Sequence, residues 1–279
     1  MRLGGPVFEE WDDPVSWVMA VRDAGYGAAF CPVGTDADDE TVSAYAEAAE
    51  EADIVIAEVP AFGCNPIASD EDERTEAIQR CQDRLALAER IGARCCVNVA
   101  GSRGERWAGA HPENLTDETF EMTVDSVREI VDAVRPQRTA YTIETMPWIF
   151  PHTPDSYLAL IEAVDRDGFA VHLDPVNLVT SPEVCFNTGA LLTECFEKLG
   201  PHIRSCHGKD IRLQDKLTVH LDEVRPGTGS LDYHTFLREL DALEHDVPLM
   251  LEHLPDEAEY TKAANYVRAV AVELGVELK

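Results

Sequence analysis

Lysine is scarce in this chain. Only five occur in 279 residues, at 198, 209, 216, 262 and 279. Lys and Arg together number 23 against 53 Asp and Glu, a formal charge of −30. A basic face able to neutralise phosphates is therefore missing, which disfavours a bare nucleic-acid binder. No run of 18 or more apolar residues occurs, so no membrane-spanning helix is expected. Met1 to Trp11 is acidic and lacks an apolar signal core, which points to the cytoplasm. No C-x-x-C joins any of the eight cysteines at 31, 64, 81, 95, 96, 185, 195 and 206. That argues against a zinc–cysteine site and for reduced, mostly buried thiols. No linker rich in Gly, Ser or Pro divides the sequence, so residues 1–279 read as one domain.

Hydrophobic residues make up 45% of the chain, enough for a real core. Excess acid with little Lys and much Ala is the composition of a halophilic cytosolic protein. Surface carboxylates hold water and counterions there, because salt screens their repulsion over about 3 Å at 1 M. On that reading the net charge describes the solvent rather than the substrate.

Apolar β-type runs alternate with amphipathic stretches throughout. The strands are expected at Gly4–Phe8, Ala28–Val33, Ile54–Pro60, Cys95–Ala100, Ala140–Met146, Phe169–Val176, Ile203–Lys209 and Pro248–Leu254. Between them, Ile78, Cys81, Leu85 and Ala88 recur at helical spacing in Thr75–Gly92. Phe120, Val124, Val127, Val131 and Val134 do so in Asp117–Arg135. Ser69, Thr116 and Thr153-Pro154 supply start signals. Eight units give about 35 residues each, the size of a βα repeat. Strict alternation implies a parallel sheet, and a closed (βα)₈ TIM barrel is the economical solution. A doubly wound sheet is disfavoured because no G-x-G-x-x-G follows the first strand. Two long connections, Gly101–Leu115 and Asp210–Leu231, fall on the carboxyl face, where barrel active sites lie.

Charged groups end four consecutive buried strands: Glu144, Asp174, His207 and Glu252. Side chains at i and i+2 share a face, so Thr142/Glu144, His172/Asp174, Ser205/His207 and Met250/Glu252 all point at the axis together. Carboxylates crowded in a barrel interior are costly and repel one another. A divalent cation resolves both problems. Three oxygen donors and one nitrogen suit Mn²⁺, Mg²⁺ or Co²⁺ better than Zn²⁺.

These motifs carry a family resemblance. The chain resembles the xylose-isomerase-like TIM barrels, the sugar isomerase/epimerase superfamily that includes endonuclease IV, over nearly its whole length. Glu144, the Asp174 of HLDPVN, the His207 of CHGKD and the Glu252 of MLEHL match that family's four metal ligands in order and strand. Pro226 to Tyr233 is similar to its seventh loop. The resemblance implies a divalent-metal-dependent isomerase or epimerase working on a small sugar or sugar derivative. In it Glu144 and Glu252 exchange a proton with the substrate through an enediolate. A keto-polyol dehydratase and a non-catalytic sugar-binding barrel are the alternatives. Asn177 stands where ketose 3-epimerases carry a His and where endonuclease IV has a further ligand. The D-x-H that endonuclease IV carries after the seventh strand is also missing, so DNA repair is not implied.

Other residues are candidates with two readings each. Lys209 shares the face of His207 and either serves substrate oxygens and protons or pairs with a neighbouring acid. Glu58 binds a substrate hydroxyl or forms a buried pair. His172 is a substrate contact or a satisfied interior His. Trp148 stacks on a sugar face or packs. Asn177, His220 and Arg225 complete the substrate-binding set, with His220 and Arg225 otherwise on the surface. Asp210 is expected to hold its loop. Gly227-Thr-Gly229 reads as a tight turn capped by Ser230 or Asp232 rather than as a phosphate cradle, because Asp232 repels an anion.

Overall fold

A computed structural model describes residues 1–279. The strands are β1 (Arg2–Gly4), β2 (Ala28–Phe30), β3 (Val55–Pro60), β4 (Cys95–Asn98), β5 (Tyr141–Glu144), β6 (Phe169–Leu173), β7 (Ile203–Gly208), β8 (Asp210–Leu213), β9 (Leu221–Val224) and β10 (Pro248–Leu251). Eight of them close into a parallel barrel in the order β1-β10-β7-β6-β5-β4-β3-β2, and β8 and β9 form a separate two-stranded sheet. The helices are α1 (Pro14–Asp23), α2 (Asp39–Glu51), α3 (Glu71–Ile91), α4 (Asp117–Val134), α5 (Pro154–Val164), α6 (Pro182–Cys185), α7 (Thr188–Leu199), α8 (Tyr233–Asp241) and α9 (Glu257–Leu274). None is long and apolar enough to cross a membrane. The fold is the (βα)₈ TIM barrel that strand–helix alternation implies.

Local chemistry sets the boundaries. Thr153 and Ser156 cap α5 reciprocally behind Pro154, and Thr116 accepts the Thr119 amide at the start of α4. α3 begins at Glu71, four residues before the apolar periodicity does, and its cap is Asp70 rather than Ser69. Its first turn is acidic and exposed, so it is stabilised by the helix dipole and leaves no hydrophobic pattern. Gly92 closes that helix at φ +78°. The first strand lies at Arg2–Gly4, not Gly4–Phe8: Arg2, Leu3 and Gly4 pair with Pro248, Leu249 and Met250. Pro6 has no N–H with which to continue the ladder. Phe8 instead leaves the barrel, half exposed, and packs its ring 5.5 Å from Tyr260.

Helix faces cover the outer side of the barrel. Leu85 and Ala88 of α3, and Val127 and Ile130 of α4, are buried in one continuous core of 61 residues. Each buried Leu, Ile or Val side chain contributes about 1.5–3 kcal/mol by leaving water. Truncating Leu85 to Ala would cost about 2–5 kcal/mol. All eight cysteines are free, and every one except Cys31 is buried.

The connection after β7 is not an irregular loop. Asp210 to Leu213 pairs antiparallel with Leu221 to Val224. Asp210 holds the return of this hairpin, as expected: its carboxylate accepts from the amides of Gly227 (3.0 Å), Gly229 (2.8 Å) and Leu231 (2.9 Å). The Gly227–Gly229 stretch is a turn, and Asp232 caps α8 through the His234 and Thr235 amides. The other long connection is pinned by Asn65, which bonds Ser102 through both its amide and its carbonyl, and by Asn114, which bonds Arg103 and Gly109.

Candidate metal centre

The barrel brings the four strand-end residues together. Single ligand atoms of Glu144, Asp174, His207 and Glu252 lie within 4.8 Å of one another. His207 Nδ1 is 2.9 Å from Glu252 Oε1, 3.2 Å from Glu144 Oε1 and 4.0 Å from Asp174 Oδ2. Lys209 reaches into the same cluster. Its Nζ lies 2.7 Å from Asp174 Oδ2 and 3.5 Å from Glu144 Oε1, and it contacts Glu252. Asn177 donates to Glu144 Oε1 (3.1 Å) and Asp174 Oδ2 (3.0 Å), and the Val176 amide donates to Asp174 Oδ1 (3.0 Å). These bonds fix both carboxylates before any ligand arrives.

A second layer lies beneath. Glu58, His172 and Ser205 are wholly buried. His172 Nε2 is 2.8 Å from Glu58 Oε1, Ser205 Oγ donates to the same oxygen, and His207 Nε2 lies 3.5 Å from Glu58 Oε2.

Burial and mutual charge decide the protonation of the cluster. Burial pushes the Glu144 carboxyl up, but His207 and Lys209 outweigh it and hold it well below the usual range. Glu252 is lowered for the same reasons. Glu58 is likewise lowered against its burial by His172 and His207. Burial also opposes the charged forms of His207 and Lys209, yet the surrounding carboxylates raise both. Asp174 goes the other way. Burial, and then Glu144 and Glu252, push it up to about 7 against the pull of Lys209. Four carboxylates thus face the Lys209 ammonium and the His207 ring, so negative charge is in surplus. A divalent cation fits that donor set: three carboxylates and one imidazole nitrogen, arranged around a charge deficit.

A cavity of about 320 Å³ opens above the cluster. Glu144, Lys209, Glu252 and Asn177 line it. Glu58 and His172 do not; they pair with each other one layer deeper. Three further candidates, Trp148, His220 and Arg225, do not line it. The Trp148 indole donates to Ala108 O at 3.0 Å and packs the rim loop. His220 sits in the hairpin turn, its carbonyl accepting from the Gln214 amide. Arg225 pairs with Glu259 of α9 at 2.9 Å. In their place stand Phe62, Trp107, Met146, Glu223 and His253. Trp107 belongs to the long connection after β4, whose length was its signal. Glu223 arrives on β9, which has no apolar run to mark it. His253 adopts φ +58° directly after Glu252 and places Nδ1 3.2 Å from Glu223 Oε2. No sequence pattern marks that conformation.

No curated protein matches the sequence. Solved structures do resemble the fold. D-psicose 3-epimerase from Clostridium cellulolyticum H10, crystallised with D-tagatose, superposes with TM-score 0.70 at 14% identity, covering 99% of this chain and 100% of that one. A xylose isomerase-like TIM barrel protein from Mycobacterium smegmatis, in complex with magnesium, gives 0.66 at 17% identity over 94% and 90%. The probable 3-DHS dehydratase AsbF from Bacillus anthracis gives 0.68 at 18% identity over 94% and 95%. The sequence itself matches the family described as xylose isomerase-like TIM barrel over residues 18–270. With that match spanning most of its length, the chain belongs to the xylose isomerase-like TIM barrel family.

Proposed function

We propose that this protein is a divalent-metal-dependent isomerase or epimerase of a sugar or sugar derivative, with Glu144, Asp174, His207 and Glu252 as the metal ligands. The observation that carries the reading is the pair Glu144 and Glu252. They come from strands separated by two others, flank one cavity, and lie beside His207 and Lys209, Glu144 buried and Glu252 partly so. A divalent cation held there supplies Lewis-acid polarisation of a carbonyl and its neighbouring hydroxyl. The side chains supply the proton steps. One glutamate, held ionised, accepts the substrate proton next to the carbonyl; the other takes up a proton from solvent and delivers it to the opposite face, and the first then releases its proton to solvent. Delivery to the same carbon inverts it; delivery to the adjacent carbon interconverts aldose and ketose. Asn177 anchors Glu144 Oε1 so that this carboxylate cannot swing away. Trp107, Phe62 and Met146 form the apolar wall of the cavity and exclude water from one side. The similarity to D-psicose 3-epimerase and to 3-keto-D-glucoside 4-epimerase from E. coli supports the choice of reaction class.

Lys209 favours one second reading. An ammonium inside the cavity can protonate a departing hydroxyl, which converts the same proton abstraction into loss of water from a keto-polyol. The resemblance to the probable 3-DHS dehydratase agrees with it.

A panel of ketoses, aldoses and inososes with Mn²⁺, followed by NMR in D₂O at high salt, tests both. Deuterium at the carbon beside the carbonyl with an epimer or isomer as product supports the first reading. A dehydrated product supports the second. Binding without exchange for every sugar would leave only a sugar-binding barrel.

A further inference from the structure

We infer that Glu58, held by His172 and Ser205, is a positioning residue that fixes His207 with its proton on Nε2 and so turns Nδ1 toward the metal centre. The inference rests on the metal-centre reading above and concerns how this chain prepares one ligand for it.

The geometry begins with topology. β3 and β7 stand four places apart in an eight-strand ring, so they face each other across the barrel. Glu58 therefore spans the interior to reach Ser205 and His207 on the opposite wall. A carboxylate buried this deeply is costly unless donors surround it. Two are already in place, His172 Nε2 and Ser205 Oγ, and both bond Oε1. The other oxygen, Glu58 Oε2, has no hydrogen-bond partner, and neither does His207 Nε2. These two buried atoms lie 3.5 Å apart, and each is completed by a small movement toward the other.

The two nitrogens of His207 meet different surroundings. Nε2 faces the carboxylate of Glu58, whereas Nδ1 faces Glu144 and Glu252. An ionised carboxylate only accepts, so the nitrogen that faces Glu58 carries a proton. With a cation among Glu144, Asp174 and Glu252, Nδ1 then offers it a lone pair. A carboxylate behind a ligating imidazole orients the ring and raises its basicity, and its loss typically weakens metal binding by about 10–100-fold. His172 and Ser205 are Cα partners in the β6–β7 ladder, so neighbouring strands hold Glu58 Oε1 from one side. Glu58, His172 and His207 also place ligand atoms close enough to hold an ion of their own. The His172–Glu58 hydrogen bond already uses that space, and a second ion is an outcome that the test separates.

The first measurement needs no variant. Multiple-bond ¹H–¹⁵N NMR on Mg²⁺-loaded wild-type protein with ¹⁵N-labelled histidine reads which His207 nitrogen is protonated. A proton on Nε2 is expected; a proton on Nδ1 overturns the inference. The second is Mn²⁺ titration calorimetry on wild type and Glu58→Gln, with circular dichroism to verify folding. Gln keeps the shape but not the charge, and about 10–100-fold weaker binding at unchanged stoichiometry is expected. Equal affinity in a folded Glu58→Gln protein overturns the inference, as does binding of two ions per wild-type chain. If Glu58→Gln does not fold, the wild-type tautomer decides. Failure of the metal reading itself looks different: wild-type protein would then take up no Mn²⁺ at all.

Discussion

Lys209 Nζ lies 2.7 Å from Asp174 Oδ2, both groups nearly sealed from solvent, in the middle of the proposed ligand set. The lysine is a covalently tethered cation in a cluster with too few positive charges. Replacing it by Met removes that charge and leaves buried carboxylates facing one another, which costs about 3 kcal/mol or more. Metal-free Lys209→Met should melt well below metal-free wild type. Saturating Mn²⁺ should recover more of the loss than it adds to wild type. Melting curves with chelator and with Mn²⁺ measure this; equal metal-induced shifts in the two proteins would contradict it.

Glu144→Gln and Glu252→Gln should each keep an oxygen donor and most metal binding yet lose turnover. Proton transfer by a positioned carboxylate is typically worth about 10²–10⁴-fold. Steady-state rates alongside elemental analysis test this. If one variant still exchanges the substrate proton with D₂O but forms no product, its glutamate is the one that returns the proton. Full activity in both would move the proton chemistry to Lys209.

Asp210→Ala should loosen the return of the hairpin without touching the metal. Four amides, of Ile211, Gly227, Gly229 and Leu231, lose their acceptor. A loss of about 3 kcal/mol follows from leaving such groups short of partners. Because Glu223 rides on this hairpin, KM should rise while Mn²⁺ affinity holds. Denaturant melts, calorimetry and kinetics separate the three quantities.

At the opposite end of the barrel, Arg2 bridges Asp246 and Asp53, each at 2.6 Å. Burial pushes the Asp246 carboxyl up, but Arg2 outweighs it and leaves the pKa below the ordinary 3.8. A carboxyl lowered on folding stabilises fully above its unfolded pKa and loses that contribution as pH falls through the folded one. Arg2→Met should therefore melt several degrees lower than wild type at pH 7, with the gap closing below about pH 4. A constant gap down to pH 2 would refute the assignment.

Thermal stability should climb from low to molar KCl. A charge of −30 on 279 residues repels itself unless screened. A flat melting profile would remove the halophile reading and leave the acidity in need of another cause.

The β–α alternation and the strand-end cluster were legible because each is a pattern along the chain: period, spacing, and a charged group closing an apolar run. Glu144, Asp174, His207 and Glu252 each sit at the end of such a run. What was illegible depends on contacts across the barrel. Glu58 stands near the end of β3, where the sequence alone leaves a substrate contact and a buried pair both open. Only the ring order of strands places it under His207. Trp148, His220 and Arg225 lie in the right connections, yet none lines the cavity: the Trp148 indole bonds Ala108 O and Arg225 pairs with Glu259. The first strand was displaced because it is three residues long and its neighbour comes from the far end of the sequence.

The β8–β9 hairpin pairs only with itself, whereas every barrel strand pairs with two neighbours. Its tip, with Leu217 and Val219 in open solvent, is thus free to lengthen or shorten without shifting the register of a barrel strand. Glu223 stands on its returning arm and lines the cavity. One wall of the cavity and the barrel scaffold are for this reason written in separable stretches of sequence. A tip of different length between Leu213 and Leu221 would reshape the cavity rim and leave Glu144, Asp174, His207 and Glu252 where they are.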